Sequence, residues 1–157
     1  MLAWSWTGLS DTANVWVVPT DGSAPASCLT DGGDHFAVNA IDAAGDRLVV
    51  SQGNGGNEHD RLFLLDRRSG VLAPLTPQQS DHYVFGGVFH PDGRSILYTA
   101  DFDYAAGIVT DGSWLYALDL DTGRRRVVAK AHSIVDRAPE ISPDGVHVLY
   151  HRGDQHP

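Results

Sequence analysis

The chain has 157 residues, of which 42% are hydrophobic and 20% are charged, and this composition excludes wholesale disorder. Its formal net charge of -9 argues against a nucleic-acid partner, because backbone phosphates would be repelled and no stripe of Lys and Arg offsets the charge. Seventeen Gly and eight Pro are scattered between short apolar runs, which is typical of many strands joined by tight turns.

The N-terminal run LAWSW predicts a strand, and the residues before Asp11 contain neither a basic start nor a long apolar stretch. We therefore expect no signal peptide, no membrane span and a cytoplasmic protein. Cys28 is the single cysteine, so no internal disulfide can form, and we expect it to be a small buried residue at the end of a strand.

Three segments share one pattern, a short β-rich run with an aromatic residue near its middle and a closing glycine turn. They are NVWVVPTDG, RLFLLDRRSG and WLYALDLDTG. Their closing glycines, Gly22, Gly70 and Gly123, are 48 and 53 residues apart. This spacing indicates an internal structural repeat.

A second set of segments keeps nearly the same period. AIDAAGDRLVVSQ, VFHPDGRSILYTA and EISPDGVHVLYHR carry turn glycines Gly45, Gly93 and Gly145, which are 48 and 52 residues apart. In the middle segment, Pro91 presets φ and Asp92 can bond its own backbone, while the glycine accepts a positive φ. Each of these segments therefore predicts a tight turn followed by a strand.

Each period holds four β-type runs within about 50 residues, which is the period of a propeller blade. We predict an all-β fold, a partial β-propeller of about three four-stranded antiparallel blades plus an extra strand. The prediction is a single domain over 1–157, with repeats at roughly 1–45, 46–93 and 94–145 and a further blade starting at 146–157. Because closed propellers need at least four blades, the chain is expected to be a fragment or to complete its ring with another chain.

The segments FHPDGRSILYTA and EISPDGVHVLYHR resemble the SPDG-plus-strand signature of TolB-type propeller repeats. That repeat also builds the N-terminal propeller of the prolyl oligopeptidase family of serine peptidases, including its dipeptidyl and acylaminoacyl peptidase branches. The segments NVWVVPTDGSAPASCLT and LYALDLDTG resemble the blade strands that precede an LT run in those enzymes. Here the runs CLT and PLT end at Thr30 and Thr76.

The resemblance implies a separate α/β-hydrolase domain that carries a Ser-Asp-His triad, with the serine on a G-x-S-x-G elbow. This sequence contains no G-x-S-x-G, so no catalytic residue is predicted here. The dipeptidyl branch also uses paired glutamates, whereas Glu58 and Glu140 lie far apart in this chain. The resemblance therefore implies a propeller that lacks its hydrolase domain.

Connections in an up-and-down blade alternate between two faces, so the PDG and DTG turns are expected on one face and longer loops on the other. We interpret the segments Glu58 to Asp60 and Phe102 to Asp111 as such loops, on a face suited to recognition. The candidate binding residues on that face are His35, Glu58, His59, Asp60, His82, Asp101, Asp103, Tyr104 and His132.

The pairs Asp34-His35 and Asp81-His82 stand at equivalent points of two repeats. Two interpretations are possible: ligands at the mouth of a ring, or turn residues encoded by the repeat. The second interpretation is favoured, because a repeated pair is usually architectural. Adjacent side chains at Glu58 to Asp60 rarely converge on one ion, and the aspartates of DFDYAAGIVTD do not fit a calcium loop. We predict no metal and no cofactor.

Arg124, Arg125 and Arg126 follow a turn directly, and we interpret them as a solvated strand edge.

Three hypotheses for function remain. The chain is the propeller part of a prolyl-oligopeptidase-like serine peptidase, gating or docking peptides for a hydrolase domain. Alternatively it is a TolB-type module that binds a protein partner without enzymatic activity. In the third hypothesis, open sheet edges pair in a homo-oligomer that closes a ring.

Overall fold

The computed structural model describes residues 1–7, 11–77, 82–131 and 139–149. Within these ranges the chain forms thirteen β-strands and no helix. None of the described segments could therefore cross a bilayer as a helix. The chain divides into two compact units, residues 1–78 and residues 79–157.

The first unit contains two antiparallel sheets, each with its strands in chain order. The first sheet has three strands: β1 (Leu2–Trp6), β2 (Asn14–Val18) and β3 (Ser27–Cys28). The second sheet has four strands: β4 (Phe36–Ile41), β5 (Arg47–Asn54), β6 (Asn57–Asp66) and β7 (Leu72–Pro74).

The second unit contains a third sheet of four strands and a short hairpin, both antiparallel. The third sheet has β8 (Val84–Phe89), β9 (Ser95–Asp103), β10 (Ile108–Asp119) and β11 (Arg125–Lys130). The hairpin has β12 (Glu140–Ile141) and β13 (Val148–Leu149). In each four-stranded sheet, the tight turn that contains Asp and Gly joins the first strand to the second. The corresponding turn of the hairpin joins β12 to β13.

The recurrent DxxxG turns form because an aspartate accepts hydrogen bonds from amides within its own turn. Asp66 Oδ1 accepts from the N–H of Ser69 at 2.8 Å, and Asp119 Oδ1 accepts from that of Thr122 at 2.8 Å. These backbone hydrogen bonds lower the pKa of both carboxyls. The closing Gly70 has φ of +69°, a conformation that glycine adopts at no steric cost.

The two LT runs end in buried threonines with equivalent roles. Thr30 Oγ1 accepts a hydrogen bond from the N–H of Val15 at 2.9 Å, and Thr76 Oγ1 accepts one from that of Leu62 at 3.0 Å. In both places the hydroxyl satisfies a strand amide beyond the end of the outer strand. This equivalence sets Val15 and Leu62 at the same position of the repeat.

Each unit has a core between two layers of strands. In the first unit, Val15 and Val17 of the first sheet pack on one face of the second sheet, whose buried residues are Phe36, Leu48, Val50, Phe63 and Leu65. In the second unit, one face of the third sheet packs on the hairpin, through Leu97, Leu115, Ala117, Ile141 and Val148.

The prediction that Cys28 is buried is wrong. Cys28 is exposed, because β3 is a two-residue edge strand on the outside of the first sheet. Its thiol lies 3.1 Å from the carbonyl oxygen of Thr30.

Candidate functional site

In both four-stranded sheets, the tight turns that contain Asp and Gly lie at one end of the sheet. A long hairpin lies at the other end. In the first unit, Arg67 donates to Asp46 at 3.1 Å and so joins two turns. In the second unit, Arg94 donates to Asp121 at 3.0 Å in the equivalent place. The β5–β6 and β9–β10 hairpins therefore lie at the opposite ends, which we call the hairpin ends.

The hairpin end of the first unit carries four of the candidate residues. His35 Nε2 lies 3.8 Å from Asp60 Oδ1, with the histidine side chain 54% exposed. Glu58 is exposed and His59 is half-buried, and both lie within β6 and not in a loop. The His35 ring lies over Gly53, where an added Cβ would come within 2.5 Å of it. Gly53 thus provides the space that the imidazole occupies.

His82 stands just before β8, as His35 stands just before β4, yet its environment differs. It is 1% exposed, and its ring stacks on Phe102 with centroids 4.3 Å apart. Its Nε2 lies 3.3 Å from the Tyr104 hydroxyl. The repeat therefore conserves the position of the histidine but buries only this one.

Asp101 and Asp103 both accept hydrogen bonds from backbone amides, Asp101 from the segment before β8 and Asp103 from its own hairpin turn. Asp101 is buried and accepts from the N–H of Tyr83 at 2.6 Å. Asp103 Oδ1 accepts from the amides of Ala105 and Ala106 at 2.9 and 3.2 Å. The interpretation of residues 102–111 as a long loop is wrong, because β9 runs to Asp103 and β10 begins at Ile108.

Tyr104 is the centre of an aromatic cluster at the hairpin end of the second unit. Its ring centroid lies 5.2 Å from that of Phe102 and 5.1 Å from that of Tyr116. The Arg125 guanidinium carbon lies 4.7 Å from the Tyr104 centroid, and Arg125 Nε donates to the Tyr98 hydroxyl at 3.0 Å. Arg125 is thus a packed cation and not a solvated edge residue, because it extends back over the face of the sheet.

Burial disfavours ionisation of the phenols of this cluster. It raises the pKa of Tyr98 and of Tyr104. Burial, together with the charge of Asp103, raises the pKa of Tyr116 to about 12. The Tyr116 hydroxyl donates to the Phe102 carbonyl oxygen at 2.6 Å. These contacts fix the hairpin against its own sheet.

An open groove of about 430 Å³ follows the β10 side of this hairpin. Ile108 and Val109 on its wall are each 57% exposed. Lys130 Nζ lies 3.6 Å from the ring centroid of Trp114, a cation–π contact between neighbouring strands. The remaining lining residues are Thr110, Asp111, Gly112 and Ala131. Sequence reasoning missed Trp114 and Lys130, because their proximity depends on the β10–β11 register.

Two further points concern the candidate residues. His132 lies outside the described residues, so its position is not assigned. Among the residues that the structure describes, no three His, Cys, Asp or Glu side chains come together in a way that could hold a metal ion.

Solved structures resemble this chain over nearly its whole length. A protein designated TolB from Agrobacterium tumefaciens aligns with 99% of the chain at a TM-score of 0.73 and 16% identity. The chain has a partial TolB-type β-propeller fold. The predicted fold class is therefore confirmed. No family model and no curated protein sequence matches the chain.

Other proteins share this propeller fold with lower scores. An oligogalacturonate lyase in complex with manganese aligns with 90% of the chain at a TM-score of 0.56 and 17% identity. The AtxE2 isopeptidase aligns with 92% at 0.54 and 14% identity. This chain spans 52% of the length of the Agrobacterium protein, 38% of the lyase and 32% of the isopeptidase. It corresponds to about half of a TolB-type propeller.

Proposed function

We propose that this chain is a non-catalytic propeller part that binds a protein or peptide partner at the hairpin end of its second unit. The observation that carries the proposal is the groove beside Ile108 and Val109, where aliphatic side chains are exposed on a hairpin fixed by the Tyr104 cluster. Exposed apolar side chains on a rigid element provide binding energy with little ordering cost.

The chemistry of the groove suits a short extended peptide. Ile108, Val109 and Trp114 provide an apolar wall, while Lys130 and Asp111 provide one charge of each sign. Tryptophan is enriched among the residues that carry most of the binding energy at protein interfaces. The candidate residue Asp103 supports this groove indirectly, because its carboxylate accepts from an amide in the hairpin turn, while Asp101 joins β9 to the segment before β8.

In its finer form, the proposal makes the partner a peptide on its way to the hydrolase domain of a prolyl-oligopeptidase-like serine peptidase. The resemblance of the SPDG repeats and of the strands before the LT runs supports this form. The alternative is a TolB-type interaction module without enzymatic activity, which the same groove would serve. The two forms differ in whether the full-length protein cleaves peptides.

The test replaces both Ile108 and Val109 with Glu and measures binding to an array of short peptides that combine aliphatic and charged residues. We expect affinity to fall at least about tenfold, because each carboxylate would lie in the apolar wall. Val71→Glu is the matched control, since Val71 is 58% exposed but lies in the β6–β7 turn at the other end of its sheet. Equal loss in the control would place binding elsewhere.

The same substitutions in the full-length protein distinguish the two forms. For a peptidase, we expect kcat/KM for oligopeptides to change while hydrolysis of a small ester substrate does not. Unchanged oligopeptide kinetics would count against gating by this groove. A full-length protein without peptidase activity that still binds through the groove would favour the interaction module.

A further inference from the structure

His82 is a buried titratable group beside the hairpin that carries the proposed groove. Its ring stacks on Phe102 of β9, with an angle of 12° between the two planes. Its Nε2 lies 3.3 Å from the hydroxyl of Tyr104, which belongs to the turn between β9 and β10. Histidine is the side chain that ordinarily gains or loses its charge near neutral pH. The protonation of this ring therefore bears on how the hairpin is held.

Arg125 sets the direction of the hydrogen bonds that reach His82. Its Nε donates to the Tyr98 hydroxyl at 3.0 Å, and a guanidinium can only donate. The hydroxyls of Tyr98 and Tyr104 are hydrogen-bonded to each other. Tyr98 is fully buried, so its proton requires an acceptor within the protein, and among the described residues that acceptor is the Tyr104 hydroxyl. Tyr104 then donates its own proton to His82 Nε2.

We call Arg125, Tyr98, Tyr104 and His82 the phenol network. Its direction requires a neutral imidazole that carries its proton on Nδ1. A second proton, on Nε2, would convert the acceptor at the end of the network into a donor. If the Tyr104 hydroxyl accepted from it, the Tyr104 proton would lose its acceptor; if both hydroxyls reversed, the Tyr98 proton would lose its acceptor instead. Either arrangement leaves a hydroxyl proton of the cluster unsatisfied, which is costly.

The charges of the cluster act in the same direction. The Arg125 guanidinium carbon lies 4.7 Å from the Tyr104 centroid, and the His82 ring stands edge-on to the same phenol at 5.7 Å. An imidazolium would therefore be a second cation on one buried phenol, which disfavours its charged form. The other titratable groups that face this cluster within the second unit are Asp101 and Asp103, whose carboxylates accept from backbone amides, and Tyr116.

We propose that His82 is an acid-sensitive switch: the neutral ring holds the β9–β10 hairpin in place, and protonation releases the hairpin and the peptide bound beside Ile108 and Val109. The part that concerns the peptide rests on the proposed function, whereas the part that concerns the hairpin rests on the phenol network. Because the folded chain favours the neutral ring, this stabilisation is fully present above about pH 7. It is lost as the pH falls through about 6.5, where histidine ordinarily takes up a proton.

Hydrogen exchange of single amides in the whole chain, measured by NMR and divided by the intrinsic rate at each pH, tests the hairpin directly. The reporter is the Gly107 amide, which donates to the Asp103 carbonyl oxygen at 2.7 Å. We expect its protection to fall at least about tenfold between about pH 7.5 and about pH 5.5. The Gly53 amide, which donates to the His35 carbonyl oxygen at 2.9 Å, should keep its protection. Unchanged protection at Gly107 would overturn the proposal.

His82→Gln and Arg125→Gln separate a switch from a purely structural role. The first variant takes up no proton in this range, and the second supplies an amide oxygen that can accept, so that both hydroxyls can reverse. In each variant we expect the fall in Gly107 protection to shrink to less than about twofold, whatever its protection at neutral pH. His90→Gln is the matched control, because His90 pairs with Asp92 at the other end of the same sheet, and the full fall should remain. A full fall in His82→Gln would assign the acid sensitivity to other groups.

The ¹⁵N shifts of the His82 ring, assigned by their absence in His82→Gln, test the direction of the network. We expect a proton on Nδ1 and none on Nε2 above about pH 7. A ring that carries its proton on Nε2 there would contradict the proposal, because Tyr104 would already accept from it and a second proton would displace no donor.

Binding of a peptide of leucine and lysine residues, which takes up no proton in this range, tests the groove. The affinity of the native chain should fall at least about tenfold at the lower pH, and that of His82→Gln should not. Equal affinity at both pH values, with reduced Gly107 protection, would refute the release of the peptide. A chain that binds no peptide at either pH but loses protection at Gly107 would contradict the proposed function and support the switch in the hairpin.

Discussion

Buried threonine hydroxyls are the residue-scale feature that the repeat reproduces most closely. Thr30 and Thr76 each bond the amide of a buried strand residue, Val15 and Leu62. Thr30 also donates to Asn14 Oδ1 at 2.9 Å. A buried amide without an acceptor is costly, so the hydroxyl is required where the short outer strand has already ended.

Thr76→Val should lower the free energy of unfolding by about 1–3 kcal/mol, because it preserves shape but leaves the Leu62 amide without this acceptor. Thr76→Ser, which keeps the hydroxyl, is the matched control and should lose less. Urea unfolding followed by circular dichroism measures both variants. Equal midpoints for the two variants would show that the hydroxyl is not what stabilises this strand end.

At the scale of elements, the β5–β6 hairpin depends on a turn of two glycines. Asn54 pairs with Asn57 across a two-residue turn, in which Gly55 and Gly56 have φ of +63° and +82°. Two positive φ values are the requirement of a type I′ turn. Asp34 reinforces this turn by accepting from the Gly55 amide at 3.0 Å.

Gly56→Ala should lower the free energy of unfolding by about 1–2 kcal/mol, because a Cβ is strained at positive φ even though open space surrounds it. Gly33→Ala is the control, since that glycine also has open space but an ordinary φ. Thermal unfolding of both variants tests the expectation. A loss of the same size at Gly33 would assign the effect to chain flexibility and not to the turn.

At the scale of the whole molecule, stability should depend on alkaline pH through the buried phenols. The pKa of Tyr116 is raised to about 12 in the folded chain, against about 10 when unfolded. Because the folded chain favours the protonated phenol, Tyr116 contributes to the free energy of unfolding. This contribution is fully present below about pH 10 and is lost as the pH rises toward about 12.

The measurement is the free energy of unfolding between pH 9 and pH 12, with tyrosinate formation followed by absorbance. We expect stability to fall across this window, and Tyr116→Phe to fall less steeply, because it has no proton to lose at that site. A Tyr116→Phe variant with the native slope would assign the pH dependence to other groups.

The sequence by itself determined the all-β class and the repeat, because tight turns and β-rich runs are local signals that recur every 48 to 53 residues. The interpretation of Glu58 to Asp60 as a loop is wrong, because these residues lie within β6. The candidate residues at the hairpin ends followed from the alternation of connections. Their assignment as binding residues remains a prediction.

Only the tertiary structure decided which side chains meet across strands and which faces are covered. Trp114 meets Lys130, and Arg125 lies over Tyr104, because of strand register and long side chains, which no local pattern encodes. Two histidines at one repeat position differ in exposure, and Cys28 is exposed where a buried residue was expected. Burial depends on the neighbouring layer, and a repeat specifies its own strands but not what packs against them.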